Sequence, residues 1–175
     1  MMAASFSSNG MSVRSGLASS LPVTFAGSPG ALGEHVAAQA TQGLDLLLSM
    51  GVHPDAGFRL ERRARAAPSS DKPDQAGASG AAAGLRFADR ARATTLDLEQ
   101  LAAGLAELTA DLGGLRLSED AGGYVCDWTY QHLLQHGERL GVPALFLHVP
   151  PLERVPLDEQ RRVVEGLLAL LVATA

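Results

Sequence analysis

One thiol and one imidazole in this sequence have surroundings that suit chemistry. Cys126 is the only cysteine among 175 residues and lies in the run Leu117 to Tyr130, L-S-E-D-A-G-G-Y-V-C-D-W-T-Y. His148 follows 22 positions later in A-L-F-L-H-V-P-P. A thiolate is the reactive form of cysteine, and the start of a helix favours it through unpaired N–H groups and the positive end of the macrodipole. An imidazole at a strand end within reach of a thiol makes the pair a candidate nucleophile and base.

The elements around these residues predict such a placement. Leu115 to Ser118 alternates like a short strand, and Asp120-Ala121-Gly122-Gly123 breaks it. Tyr124 to Leu134 then runs as a helix, so Cys126 falls in its first turn. From Ala144 runs an apolar strand that ends in His148 and is closed by Pro150 and Pro151, which puts the imidazole at its C-terminal edge. In open α/β sheets that edge is where sites form. On this reading the cysteine and the histidine lie at adjacent strand ends.

The rest of the chain supplies alternating strands and helices. Leu21 to Phe25 reads as a short extended segment and Gly33 to Gln42 as a short helix. Leu44 to Met50 is an apolar run suited to a buried parallel strand, and Gly57 to Leu60 is a second short strand leading into Glu61. Leu96 to Leu112 is the clearest helix, with Leu98, Leu101, Ala102, Leu105 and Leu108 at helical spacing. Leu157 to Ala173 is another, with a stripe of Val163, Val164, Leu167, Leu168 and Leu171. Residues 67–84 are rich in Gly, Ala, Ser and Pro without an apolar period, which predicts a loop. The order implies a single α/β domain over 21–175, with a mostly parallel twisted sheet covered on both faces as an α/β/α sandwich. Residues 1–20 carry neither a clear period nor an acidic residue, and are expected to be disordered or leader-like.

Composition narrows the function. A formal net charge of −5 and 46% hydrophobic residues fit a globular chain with no general attraction to nucleic acid or anionic membranes. No apolar run is long enough to span a bilayer, since Val163 to Ala175 is interrupted by Glu165. A single cysteine excludes an internal disulfide and suits a reducing, cytoplasmic setting. Arg59, Arg62, Arg63 and Arg65 cluster without interleaved aromatics, which favours a surface or loop-anchoring role over nucleic-acid binding. His132 and His136 stand four apart, a spacing that can hold a metal, but H-E-x-x-H is not formed and no third ligand is evident. They read as an incidental surface pair. Each reactive residue also has a plain structural reading: a lone cysteine is usually a small buried hydrophobe, and a histidine in an apolar strand a hydrogen-bonded core residue.

The combination of S-E-D-A-G-G-Y-V-C-D-W-T-Y with F-L-H-V-P-P-L resembles the pyroglutamyl peptidase I (pyrrolidone-carboxylate peptidase) family of cysteine exopeptidases. The likeness is strongest from Arg116 to Leu152. It implies a Cys-His-Glu triad of Cys126, His148 and Glu61, the last within Leu60-Glu61-Arg62-Arg63-Ala64; read without the resemblance, Glu61 belongs equally to a solvated charged face. It also implies peptides with N-terminal pyroglutamate as substrates, and no cofactor beyond a reduced thiol. Pro73 to Gly77 resembles the family's P-D-N-x-G turn, with Gln75 in place of Asn. The family's opening strand and G-F-x-P-F-G loop have no counterpart; Phe25 to Gly30 lies at the wrong distance. Loss of that strand predicts an exposed apolar sheet edge. Two functions follow: an active pyroglutamyl peptidase, or a catalytically impaired relative that acts only by binding.

Overall fold

In the computed structural model, which describes residues 1–8, 13–41, 43–80 and 88–173, one six-stranded sheet carries the molecule. Its strands are β1 (Met2–Ser8), β2 (Val13–Ser20), β3 (Leu46–Val52), β4 (Phe58–Glu61), β7 (Leu115–Ser118) and β8 (Ala144–Val149). They lie in the order β2-β1-β3-β8-β4-β7. A separate two-stranded ladder joins β5 (Arg63–Ala64) to β6 (Arg92–Ala93). The helices are α1 (Gly27–Ala40), α2 (Leu98–Thr109), α3 (Val125–Leu140) and α4 (Leu157–Ala173).

Strand alternation sorts the apolar side chains into two layers. Leu46, Leu48, Leu60, Leu145 and Leu147 pack against Leu101 and Leu105 of α2 and Val163 and Leu167 of α4. Leu47 and Phe146 face the other way, onto Leu32 and Val36 of α1 and Tyr130, Leu133 and Leu134 of α3. Each fully buried leucine removes enough apolar surface to contribute about 1.5–3 kcal/mol before entropy is charged against it. The expected three layers are therefore present. The stripes foreseen on α2 and α4 are the faces they bury: Leu98, Leu101 and Leu105, then Val163, Leu167 and Leu171.

Local signals explain the helix ends. The Asp97 side chain accepts from the Gln100 N–H at 2.9 Å and caps α2. Gly141 ends α3 in the left-handed region, φ 71°. The α3 helix continues to Leu140, beyond the expected Leu134, because Leu133, Leu134 and Gly137 still face the core. At its other end α1 begins at Gly27, earlier than Gly33, and Leu21 to Phe25 is a turn rather than an extended segment. Gln42 and residues 81–84, the ends of the expected short helix and loop, lie outside the described residues, as do 9–12.

The sheet is mixed. β3 runs parallel to β8 and β4 parallel to β7, but β4 meets β8 antiparallel, with Arg59 opposite His148 and Glu61 opposite Phe146. Two expectations for the start of the chain change here. Residues 2–8 and 13–20 pair as strands where a disordered or leader-like segment was foreseen. β1 also runs antiparallel along β3, Met2 opposite Met50, so the edge expected to be bare is paired. The Ser- and Ala-rich sequence gives little sign of a strand by itself. The unpaired amides and carbonyls along β3 supply a reason for one to form.

Candidate active site

The site forms on the α3 face of β3 and β8. His148, two residues on from Phe146, points to that face near the end of β8 and is 2% exposed. Across the sheet, β4 ends in Glu61, which is wholly buried. The Glu61 carboxylate oxygen Oε1 lies 2.7 Å from His148 Nδ1. Glu61 is therefore no part of a solvated charged face, whereas its arginine neighbours are spoken for by other acids. Arg59 pairs with Asp55, Arg62 with Glu99 and Glu119, and Arg65 with Asp120. Tyr130, also buried, donates its hydroxyl to the Glu61 carbonyl at 2.8 Å and fixes the backbone at that point.

The Asp120 to Gly123 bend brings Cys126 in from the third direction. Gly122 and Gly123 both take positive φ, 94° and 64°, which lets the chain turn tightly into α3. Cys126 is the second residue of the helix and half-buried. No side chain caps the helix at Tyr124, so its first amides keep their donor capacity. Asp127 steadies the approach: its carboxylate accepts from the Arg65 and Gly123 amides, both at 3.0 Å.

Close packing at β3 sets the position of the sulfur. A Cβ built on Gly51 would stand 2.9 Å from Cys126 Sγ and 3.1 Å from Phe146 Cζ, so glycine is needed for the thiol to lie against the strand. Gly51 in turn is the β3 partner of His148. Thiol, imidazole and carboxylate are thus brought together from α3, β8 and β4. The route differs from the one foreseen. β7, which leads to Cys126, is not adjacent to β8, because β4 lies between them and runs opposite to β8. Cys126 reaches His148 over the face of the sheet rather than along a shared edge of neighbouring strand ends.

The electrostatics favour a charged imidazole. Burial of His148 works for the neutral ring, but hydrogen bonds and charges from Cys126 and Glu61 outweigh it and push its pKa up to about 9. With Nδ1 turned to Glu61, Nε2 is the ring nitrogen left for the thiol side. The second Glu61 oxygen, Oε2, has no hydrogen-bond partner among the described residues, leaving His148 as that carboxylate's side-chain partner.

Three further residues shape the surroundings, and the sequence offered only weak signs of them. Phe25 is fully buried and meets Tyr124 edge-on at 5.5 Å, two residues before Cys126. Asp74 holds Phe25 there, accepting its N–H at 2.8 Å, and also accepts from Ala76 and Ala78 within its own turn. The P-D-Q-A-G segment is thus a clamp, and its conversion from loop composition to contact is invisible without the fold. His53, just beyond β3, meets the His148 ring at 5.3 Å. The pair His132 and His136 is not on the surface as expected. Both are half-buried on α3, His132 against Trp128 at 4.6 Å and His136 near Gly33 of α1. Burial lowers the pKa of both, that of His132 to about 4. No group of three metal-ligating side chains is found among the described residues, and no helix among them is long and apolar enough to cross a membrane.

Solved structures carry the same architecture. A mutant pyrrolidone carboxyl peptidase from Pyrococcus furiosus superposes with a TM-score of 0.70 at 19% identity, covering 88% of this chain and 80% of the other. The enzyme from Fervidobacterium islandicum gives 0.67 at 26% identity, over 87% and 79%. That from Thermococcus litoralis gives 0.69 at 17% identity, over 87% and 76%. No protein-family model matches the sequence, and no curated protein matches it. The protein has an α/β fold with a mixed sheet. That fold is the pyrrolidone carboxyl peptidase fold, the family that the motifs around Cys126 and His148 resemble.

Proposed function

We propose that this protein is a cysteine exopeptidase that removes N-terminal pyroglutamate from peptides, with Cys126 as nucleophile, His148 as proton carrier and Glu61 as the group that orients His148. The observation that carries this reading is the buried His148–Glu61 pair at 2.7 Å, with the Cys126 sulfur packed against Gly51, the strand partner of His148. A neutral imidazole has one donor and one acceptor nitrogen, which ordinary polar partners satisfy in a merely structural histidine. This one joins a carboxylate to a half-exposed thiol at a helix start.

In the reaction the Cys126 sulfur attacks the pyroglutamyl acyl carbon, and the carbonyl π electrons move onto oxygen. The uncapped amides at the start of α3 are suited to hold that oxyanion. His148, cationic beside Glu61, gives its proton to the departing amine as the C–N bond breaks, which leaves a thioester. Water then attacks the thioester while His148 takes a proton from it. Breaking the C–S bond releases pyroglutamate and restores the thiolate–imidazolium pair. Glu61 holds the imidazole with Nε2 toward the sulfur and balances its charge throughout. Tyr124, backed by Phe25, supplies an aromatic wall beside the nucleophile suited to the lactam ring.

The test is release of aminocoumarin from a pyroglutamyl-amide by purified protein in a reducing buffer. Release that disappears in Cys126→Ala is the expected result. A folded, monodisperse sample that releases nothing overturns the peptidase reading.

A further inference from the structure

We infer that His53, which the triad does not include, is a positioning residue that holds the His148 ring against Glu61 and Cys126. His148 is flanked by two rings. Phe146 lies at 4.8 Å between centroids, tilted by 58°, and His53 at 5.3 Å, edge-on at 70°. A ring bounded on both sides has little room to turn away from its hydrogen-bonding partners. His53 is the more exposed ring of the two: its side chain is 28% exposed, against 3% for His148.

His53 is itself held by three links. Its N–H donates to the Val149 carbonyl at 2.9 Å, which ties its main chain to the strand that carries His148. Its Nδ1 accepts from the Asp55 N–H at 3.2 Å, which puts the ring proton of the neutral form on Nε2. Asp55 is ion-paired with Arg59, and Arg59 is the β4 residue directly opposite His148. The support for the His53 ring therefore starts and ends beside the residue it positions.

Charge decides when this packing helps. Burial lowers the pKa of His53, as do the facing cations Arg59 and His148, while Asp55 and Glu61 act the other way. At neutral pH His53 is an uncharged ring beside a cation. When acid protonates it, two imidazolium rings meet in one contact and the His148 arrangement is opposed.

This role rests on the triad reading, so its test needs no peptide substrate. The single thiol allows the rate of Cys126 alkylation by iodoacetamide to be followed from pH 5 to pH 9 for wild type, His53→Ala and His53→Phe. Expected is a drop on the order of tenfold at pH 7 in His53→Ala, less than the hundredfold that a full ångström of misplacement can cost. His53→Phe keeps a flat ring without a titratable nitrogen. It recovers the neutral-pH rate, and between pH 7 and pH 5 its rate falls less than that of wild type. A His53→Ala rate equal to wild type at pH 7, or a His53→Phe acid limb that superposes on the wild-type one, overturns the proposal. The profile is readable even if no pyroglutamyl-amide is cleaved, which separates failure of this inference from failure of the peptidase reading.

Discussion

His148 Nδ1 and Glu61 Oε1 lie 2.7 Å apart, with the carboxylate wholly buried and the imidazole nearly so. Strands that run in opposite directions bring them together. Glu61→Gln keeps an oxygen for Nδ1 but removes the charge that sustains the imidazolium. A fall in kcat/KM of about 10²–10⁴-fold is expected in assays on the pyroglutamyl-amide, in the range of losing a positioned acid–base partner. Glu61→Ala takes the buried carboxylate away from that cation. Urea unfolding of that variant is expected to show a loss of about 3–5 kcal/mol.

The raised pKa of His148 makes stability fall in mild alkali. A histidine whose folded pKa lies above its unfolded value stabilises fully below the unfolded value and loses that contribution as pH rises through the folded one. Here the two values are 6.5 and about 9. The melting temperature should therefore decline as pH goes from about 6.5 to 9. In Glu61→Gln the same scan should be flatter over that window. An equal slope in both proteins would show that another group carries the dependence.

Gly51→Ala tests the packing that sets the sulfur. Its methyl would stand 2.9 Å from Cys126 Sγ and 3.1 Å from the Phe146 ring, so one of them must move. Overpacking of this kind costs about 1–3 kcal/mol of stability. A displaced thiol is also expected to lower the neutral-pH alkylation rate of Cys126. A variant with unchanged alkylation and melting would show that the strand yields without disturbing the site.

Asp127→Ala tests the bend that delivers the nucleophile. The Arg65 and Gly123 amides would both lose their acceptor, at a cost of about 1–3 kcal/mol for each donor left buried and unpaired. Asp127→Asn keeps one carbonyl oxygen and is expected to fall between alanine and wild type in urea unfolding. Burial already holds the Asp127 pKa above the ordinary carboxylate value against the pull of these bonds, so the neutral replacement relieves part of its own cost.

Much of this architecture was readable in local pattern. The helix from Leu157 was foreseen with its observed bounds and the strand from Ala144 to within one residue, because an apolar stripe or an unbroken buried run is a property of adjacent residues. Cys126 in the first turn of α3 followed from the Gly122-Gly123 break. His53 and Asp74 were not legible, since a histidine after a strand and an aspartate in a Pro-Gly turn have many possible partners. The pairing of β1 with β3 was missed for a related reason. Its support is a backbone ladder with residues about 45 positions away, which side-chain pattern does not report.

The sequence by itself determined the reactive groups and their local settings: a thiol at a helix start, an imidazole near a strand end, and an acid at the end of another strand. These depend on short-range backbone preferences and on nearby apolar spacing. Only the tertiary structure decided that the three meet. Glu61 was equally compatible with a solvated arginine-rich face until β4 was inserted antiparallel between β8 and β7, where strand alternation turns its carboxylate inward onto His148. Direction and register of nonlocal strand pairing carry that choice, and a change of one residue in register would turn the same carboxylate to the opposite face.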